Sequence, residues 1–127
     1  MVLLLLTPTL LLAKMTQADI DVIYTKPIVV EGKKSTLTIE LPVDSTNGYM
    51  WFFVPDNYDY IRATNFNHES VDIENSKWGG MDNFKLQVLS RFKKSPQKIV
   101  LHFECFKPWD INAKPITKDI TVLSFVD

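Results

Sequence analysis

The sequence predicts an all-β fold, because short apolar segments separated by turn residues recur along its 127 residues. Several of these segments alternate apolar and polar side chains with a period of two, as a half-buried β-strand does. No window shows the 3.6-residue period of an amphipathic helix, and seven prolines are spread along the chain. About seven to eight short antiparallel strands in one domain are typical of an immunoglobulin-like β-sandwich, and a barrel is the alternative.

Five segments carry the strand prediction. Residues 35–41 and 83–89 alternate apolar and polar side chains, and residues 99–105 place Ile99, Leu101, Phe103 and Cys105 on one face. Residues 49–54 form a near-continuous aromatic run, which predicts a central strand, and residues 116–125 predict the last strand. Weaker candidates are residues 21–25 and 66–73.

Composition excludes several classes of function. Lys and Arg number 14 against 15 Asp and Glu, so the basic excess of a nucleic-acid-binding protein is missing. The two histidines, His68 and His102, and one cysteine offer no zinc ligand set, and we expect no cofactor. Cys105 alternates in register with core residues, His102 points to the opposite face, and His68 is predicted in a loop or edge strand. We therefore expect a protein that is not an enzyme.

The first eighteen residues read as a signal peptide. Their apolar run, interrupted at residues 7–9, is too short to span a bilayer, and Thr16-Gln17-Ala18 offers small residues for cleavage after Ala18. Residues 19–127 would then form one domain of a secreted or periplasmic protein with no membrane span. The basic residue expected before the run is missing, since Lys14 follows it, so either the given start lies inside a longer signal peptide or the segment is an unusual anchor.

Glycine and tryptophan mark the turns of interest. Gly48 precedes the strand that contains Trp51, and Gly79-Gly80 precede the strand that begins near Asn83. Trp51 lies in an apolar strand and is predicted in the core, whereas Trp78 and Trp109 are predicted in turns, where aromatic side chains often anchor interfaces. Loops at one end of a sandwich cluster in space, so we expect Thr46 and Trp109 to lie near each other.

These turns resemble the three loop motifs of the chagasin-like inhibitors of papain-family cysteine peptidases. The family motif Asn-Pro-Thr-Thr-Gly-Tyr/Phe, followed by x-Trp, is similar to Asp44-Ser45-Thr46-Asn47-Gly48-Tyr49 with Trp51 after it. Gly-x-Gly-Gly is similar to Lys77-Trp78-Gly79-Gly80, and Arg-Pro-Trp is similar to Lys107-Pro108-Trp109. The resemblance extends from about residue 20 to the end of the chain. The departures from the family are Asp44, Ser45, Asn47, Lys77 and Lys107.

The resemblance implies a reversible, non-covalent inhibitor of papain-like, cathepsin L-type cysteine peptidases, a monomer whose target is its own organism's enzyme or a host's. It places three loops in the active-site cleft, with peptidase contacts from Thr46, Asn47, Gly48, Tyr49, Trp78, Gly79, Gly80, Lys107, Pro108 and Trp109. Ser45 in place of proline would leave the first loop less preorganised, which costs affinity. Lys107 cannot make the planar, bidentate contacts of arginine.

One alternative from a different class stays open, an immunoglobulin-like adhesion or ligand-binding module whose aromatic loops contact a sugar or another protein. Asp44, Asp56 and Asp59 could suggest calcium, but they lack the spacing of a dense acidic loop and are interpreted as turn residues. Asp82 and Asp110 are interpreted as turn residues too.

Overall fold

The computed structural model describes residues 14–56, 59–70 and 79–125. In these ranges the chain is mostly β, with 54% of its residues in strands, as the alternation predicts. The elements are the helix α1 (Gln17–Asp21), the strands β1 (Ile28–Val30), β2 (Thr36–Asp44), β3 (Met50–Val54), β4 (Ile61–Glu69), β5 (Gly79–Val88), β6 (Gln97–Phe106) and β7 (Ile116–Ser124), and the 3-10 turns Ser45–Asn47 and Ser90–Lys93.

The seven described strands form two sheets that pack face to face. One sheet has the order β1-β7-β6-β3 and the other β2-β5-β4. Every pair is antiparallel except β1 with β7, which is parallel. The prediction that all strands pair in antiparallel fashion is wrong at this pair. The chain passes from Gln17, which is hydrogen-bonded to Thr117, to Ile28, which lies opposite Val122, and so it runs in the same direction as β7.

The core lies between the sheets and is filled by the alternating side chains. In β2 and β5 every second residue is buried, so both strands turn one apolar face inward. Phe84 of one sheet meets Phe103 of the other with ring centroids 5.2 Å apart. Trp51 and Cys105 are buried, as predicted. The larger set of core residues is Leu37, Ile39, Leu41, Val43, Leu86, Val88, Leu101, Ile120 and Val122.

Three strand predictions need correction. Residues 21–25 form the end of α1 and a turn, and the first strand is β1, which the sequence did not indicate. The predicted central strand at residues 49–54 is β3, which lies at the edge of its sheet. The candidate at residues 66–73 overlaps β4, which begins earlier, at Ile61; residues 71–73 lie outside the described ranges.

The N-terminal segment is attached to the outer edge of β7. Thr16 and Asp19 form a capping box at the start of α1, and Met15 and Ile20 are buried in the core. The Gln17 side chain donates to the Thr117 carbonyl at 2.7 Å and accepts from its N–H at 2.9 Å, as a neighbouring strand would. The predicted cleavage point after Ala18 therefore lies within α1, whereas residues 1–13 lie outside the description. No described helix has the length and apolar character needed to cross a membrane.

Candidate functional site

The strand register brings the three turns to one end of the sandwich. In the β2–β5 pair, Asp44 lies opposite Gly79, and in the β3–β6 pair, Met50 lies opposite Phe106. The first loop, residues 45–49, therefore leaves β2 beside Gly79 and enters β3 beside the start of the third loop, residues 107–115. It lies between the start of β5 and the start of the third loop. We call this end, with Thr46, Gly48, Gly79 and Trp109, the loop pole.

Two close contacts join the turns at the loop pole. A β-carbon on Gly79 would lie 2.8 Å from Thr46 Cγ2 and 3.0 Å from Ser45 Oγ, so the start of β5 touches the first loop. A β-carbon on Gly48 would lie 2.3 Å from Cη2 of Trp109, so the third loop touches the first loop from the other side. Gly79 and Trp109 thus contact the same short loop, at Thr46 and at Gly48 respectively.

Glycine is required at these contacts for two reasons. Gly48 has φ +87° and Gly79 has φ +97°, a left-handed backbone that residues with a β-carbon rarely adopt. The space in front of each α-carbon is also occupied by a neighbouring side chain. Gly79 and Gly80 were predicted in a turn, but they are the first two residues of β5, where Gly80 lies against the His68 ring.

The Asp44 side chain stabilises the first loop through hydrogen bonds. Its side chain is buried, and its carboxylate accepts hydrogen bonds from Thr46 Oγ1 at 3.1 Å and from Asn47 Nδ2 at 3.0 Å. The Gly48 N–H donates to the Ser45 carbonyl at 3.0 Å and closes the 3-10 turn. These hydrogen bonds form an internal brace that stabilises the conformation of the first loop. The resemblance would instead put a rigid proline at Ser45.

Asp82 is a buried residue of the site that the sequence analysis placed in a turn. It lies within β5 with an exposure of 2%, because β5 begins at Gly79 and the alternation then turns Asp82 inward. Its carboxylate accepts the Trp51 N–H at 3.0 Å and lies 2.8 Å from His68 Nδ1. The side chain therefore ties one sheet to the other below the loop pole. Its period-two spacing with Phe84 is the signal that could have placed it inside.

The third loop presents the most exposed aromatic side chain of the pole. Trp109 is 73% exposed even though one edge of its ring contacts Gly48. The loop is turned by a hydrogen bond from the Asp110 N–H to the Lys107 carbonyl at 2.8 Å. The Lys107 ammonium lies 5.3 Å from the centre of the Tyr49 ring, a cation–π contact that links the third loop to the first. Lys77 and Trp78 lie outside the described residues.

A shallow groove of about 370 Å³ opens between the first and third loops. Its walls are mostly apolar and include the side chains of Trp109 and Met50. Asp82 and His68 also line it, so the groove combines an apolar surface with one buried carboxylate. The other lining residues are Ser45, Gly48, Tyr49 and Pro108.

Cys105 and His102, both on β6, do not form a nucleophile–base pair. Burial raises the pKa of the Cys105 thiol to about 12, with further contributions from the negative charges of Asp82 and Asp44. The thiolate that nucleophilic catalysis needs is therefore scarce at neutral pH. His102 lies on the opposite face of β6, where it contacts Asp119 and Glu104. Among the described residues, no group of three or more His, Cys, Asp or Glu is placed to hold a metal ion.

Comparison with models of protein families finds no family that matches this chain. Comparisons with curated proteins and with solved structures also find no match. What the loop pole does must therefore be inferred from its own residues and geometry.

Proposed function

We propose that this chain is a reversible, non-covalent inhibitor of papain-like, cathepsin L-type cysteine peptidases that acts in a secreted or periplasmic setting. The observation that supports the proposal most is the meeting of the three motif-bearing turns. Gly48 packs against Trp109, and Gly79 packs against Thr46. Motifs that are separated in the sequence thus form one surface, as a cleft-binding wedge requires.

The order of the strands in the two sheets also supports the proposed function. In immunoglobulin-type sandwiches the first, second, fifth and fourth strands form one sheet, and the seventh, sixth and third form the other. The orders β2-β5-β4 and β7-β6-β3 are similar to that arrangement, whereas β1 departs from it, because it pairs with β7 and not with β2. The three turns of interest follow β2, precede β5 and follow β6, which are connections at a single end of such a sandwich.

In the proposed complex the first loop is the central wedge. Thr46, Asn47 and Gly48 would enter the cleft next to the catalytic cysteine and histidine of the peptidase. Gly79-Gly80 and the third loop would hold the cleft walls, with Trp109 packed on an apolar surface of the enzyme. The inhibitor would stay intact because none of its carbonyls reaches the thiolate at about 3–3.5 Å in an aligned geometry.

Preorganisation of the wedge is the energetic basis of the proposal. Binding costs less free energy when loops are already held in the bound conformation. The Asp44 carboxylate holds Thr46 and Asn47, and the Lys107–Tyr49 contact holds the third loop to the first. A surface braced in this way loses little conformational entropy when it enters a cleft.

Titration of the purified protein against papain and a cathepsin L-type peptidase tests the proposal. We expect residual activity to fall with added protein, to recover after dilution, and the recovered chain to keep its full mass. A trypsin-type serine peptidase is the matched control and should keep its activity. Full activity of both cysteine peptidases in the presence of a micromolar excess, on the order of 1–10 μM, would refute the proposed function.

A further inference from the structure

A second groove, of about 480 Å³, lies beside the loop pole on the open side of the sandwich. It runs between β3 and β4, which are the edge strands of their sheets and have no second neighbour among the described strands. Its lining residues are Met50, Trp51, Phe52, Phe53, Pro55, Ala63, Asn65, Phe66 and Phe84. The groove is larger than the one between the first and third loops.

The chemistry of this groove suits an uncharged, apolar ligand. None of its described lining residues is ionisable, and Asn65 is the one with a polar amide side chain. The Asn65 Oδ1 accepts the Phe66 N–H at 2.8 Å, so part of that polarity is already used. A charged group placed here would lose its hydration without gaining a partner, which is strongly unfavourable.

The groove is continuous with the surface of the loop pole. Met50 lines both grooves, whereas Trp109 lines only the first and Phe66 only the second. All three side chains are exposed, Met50 by 39%, Phe66 by 38% and Trp109 by 73%. A partner that covers the pole can therefore also contact the groove, through Met50.

We propose that the groove between β3 and β4 is a second docking surface for the same peptidase, occupied by an uncharged, extended segment beside the cleft. This inference rests on the proposed function. An extended segment can add to the free edge of a sheet and place its apolar side chains in the adjoining groove. The β-bulge between Ala63 and Asn65 interrupts the edge of β4, so the segment would add to the edge of β3.

The test places a charge in the groove and measures inhibition of papain and of a cathepsin L-type peptidase. Ala63 is exposed and lines the groove, so Ala63→Asp adds a carboxylate there without removing a core side chain. Val100, 41% exposed on β6, does not line the groove and gives the matched control Val100→Asp. We expect Ala63→Asp to weaken inhibition at least about tenfold and Val100→Asp to change it less than about twofold.

The outcomes separate this inference from the proposed function. If the unmodified chain inhibits and a folded Ala63→Asp variant inhibits equally well, the groove is not a docking surface and the function stands. If the unmodified chain inhibits neither peptidase, both fall. If Ala63→Asp does not fold, hydrogen exchange measured on the unmodified chain with and without bound peptidase replaces this test. Slower exchange at residues 50–54 and 61–66 in the complex would support docking in the groove, and unchanged exchange there would overturn the inference. If the exchange of the groove residues slows without peptidase, and slows further as the protein concentration rises, the groove binds a second copy of the chain and the inference is overturned.

Discussion

The Trp109 ring occupies the space in front of the Gly48 α-carbon, so closely that a β-carbon there would lie 2.3 Å from Cη2 of the indole. The two residues belong to different loops and are far apart in the sequence. Their contact makes the first and third loops one surface, and it leaves most of the indole free, because Trp109 is 73% exposed. A side chain at position 48 would displace the Trp109 ring from this position.

Replacing Gly48 tests this contact. Gly48→Ala should abolish most of the inhibition, because the new methyl group displaces Trp109 and strains a backbone at φ +87°. The free energy of unfolding should fall by about 1–2 kcal/mol from the backbone strain alone. Gly32→Ala is the control, since Gly32 has φ +60° in the β1–β2 connection. It should lose comparable stability and keep its inhibition; equal effects of the two variants on inhibition would contradict the contact's role.

Truncation of Trp109 tests the anchor. Trp109→Ala should weaken binding by about 2 kcal/mol, roughly thirtyfold, because large aromatic side chains supply most of the energy of many interfaces. Its thermal unfolding should barely change, since the side chain is mostly exposed. Ile111→Ala in the same loop, also at 73% exposure, is the matched control. A loss below about threefold, measured as the inhibition constant, would remove Trp109 from the anchors.

Two substitutions of Asp44 test the brace of the first loop. Asp44→Ala leaves the Thr46 hydroxyl and the Asn47 amide without their acceptor. It should weaken inhibition and lower stability by about 1–3 kcal/mol. Asp44→Asn retains one acceptor oxygen and restores the residue of the resembled motif, so it should inhibit nearly as well as the unmodified chain. Hydrogen exchange at the Gly48 N–H reports the brace directly, and unchanged exchange in Asp44→Ala would argue against it.

The pH dependence of stability should include a contribution from His102. Its hydrogen bond with Asp119 is the largest cause of a raised pKa, burial opposes the rise, and its hydrogen bond with Glu104 adds to it. The imidazolium thus stabilises the fold fully below the unfolded pKa of 6.5, and this contribution is lost as the pH rises through the higher folded value. The side chain is 36% exposed, so solvent screening keeps the gain below about 1 kcal/mol.

Denaturation of the His102→Gln variant checks this contribution. Its deficit in unfolding free energy relative to the unmodified chain should be larger at about pH 5.5 than at about pH 8.5. Lys98→Gln, an exposed substitution on the same strand, serves as control and should show no such trend. If the deficit in unfolding free energy of His102→Gln were larger at alkaline pH than at acidic pH, it would contradict the conclusion that the His102 imidazolium stabilises the fold.

The segment before Asp19 should contribute to stability. A chain of residues 14–127 keeps Met15 in the core and the two Gln17–Thr117 hydrogen bonds, whereas residues 19–127 lose both. We expect the shorter chain to be less stable by about 2–5 kcal/mol in urea denaturation, mainly from the buried methionine. Gln17→Ala in the longer chain isolates the hydrogen bonds and should cost about 1 kcal/mol. Equal stability of the two chains would show that cleavage after Ala18 leaves the fold intact.

The sequence predicts the long, regular strands well, and its errors have identifiable physical causes. β1 has three residues and α1 has five, too few for any period to emerge. The bulge between Ala63 and Asn65 breaks the alternation of β4, which explains why only its second half was recognised. The sequence of β3 resembled that of a central strand because Met50 and Phe52, on the face away from the core, are also apolar. In the structure both of them line the groove between β3 and β4.

For the candidate site, the sequence located the turns but not how they are supported. Gly79 and Gly80 suggested a turn because glycine is common there, yet they begin β5 and let the first loop and His68 approach. Asp82 also suggested a turn, although its carboxylate is buried with the Trp51 N–H as partner. That partner lies in the other sheet, so no local pattern could identify it.

By itself the sequence determined the all-β class, the inward faces of the main strands and the residues at the tips of the turns. These depend on side chains a few positions apart, and such spacing is visible in the chain. Only the tertiary structure decided that Gly48 meets Trp109 and that Gly79 meets Thr46. Those contacts follow from the pairing of β2 with β5 and of β3 with β6, and register between distant strands is selected by the packing of the whole core.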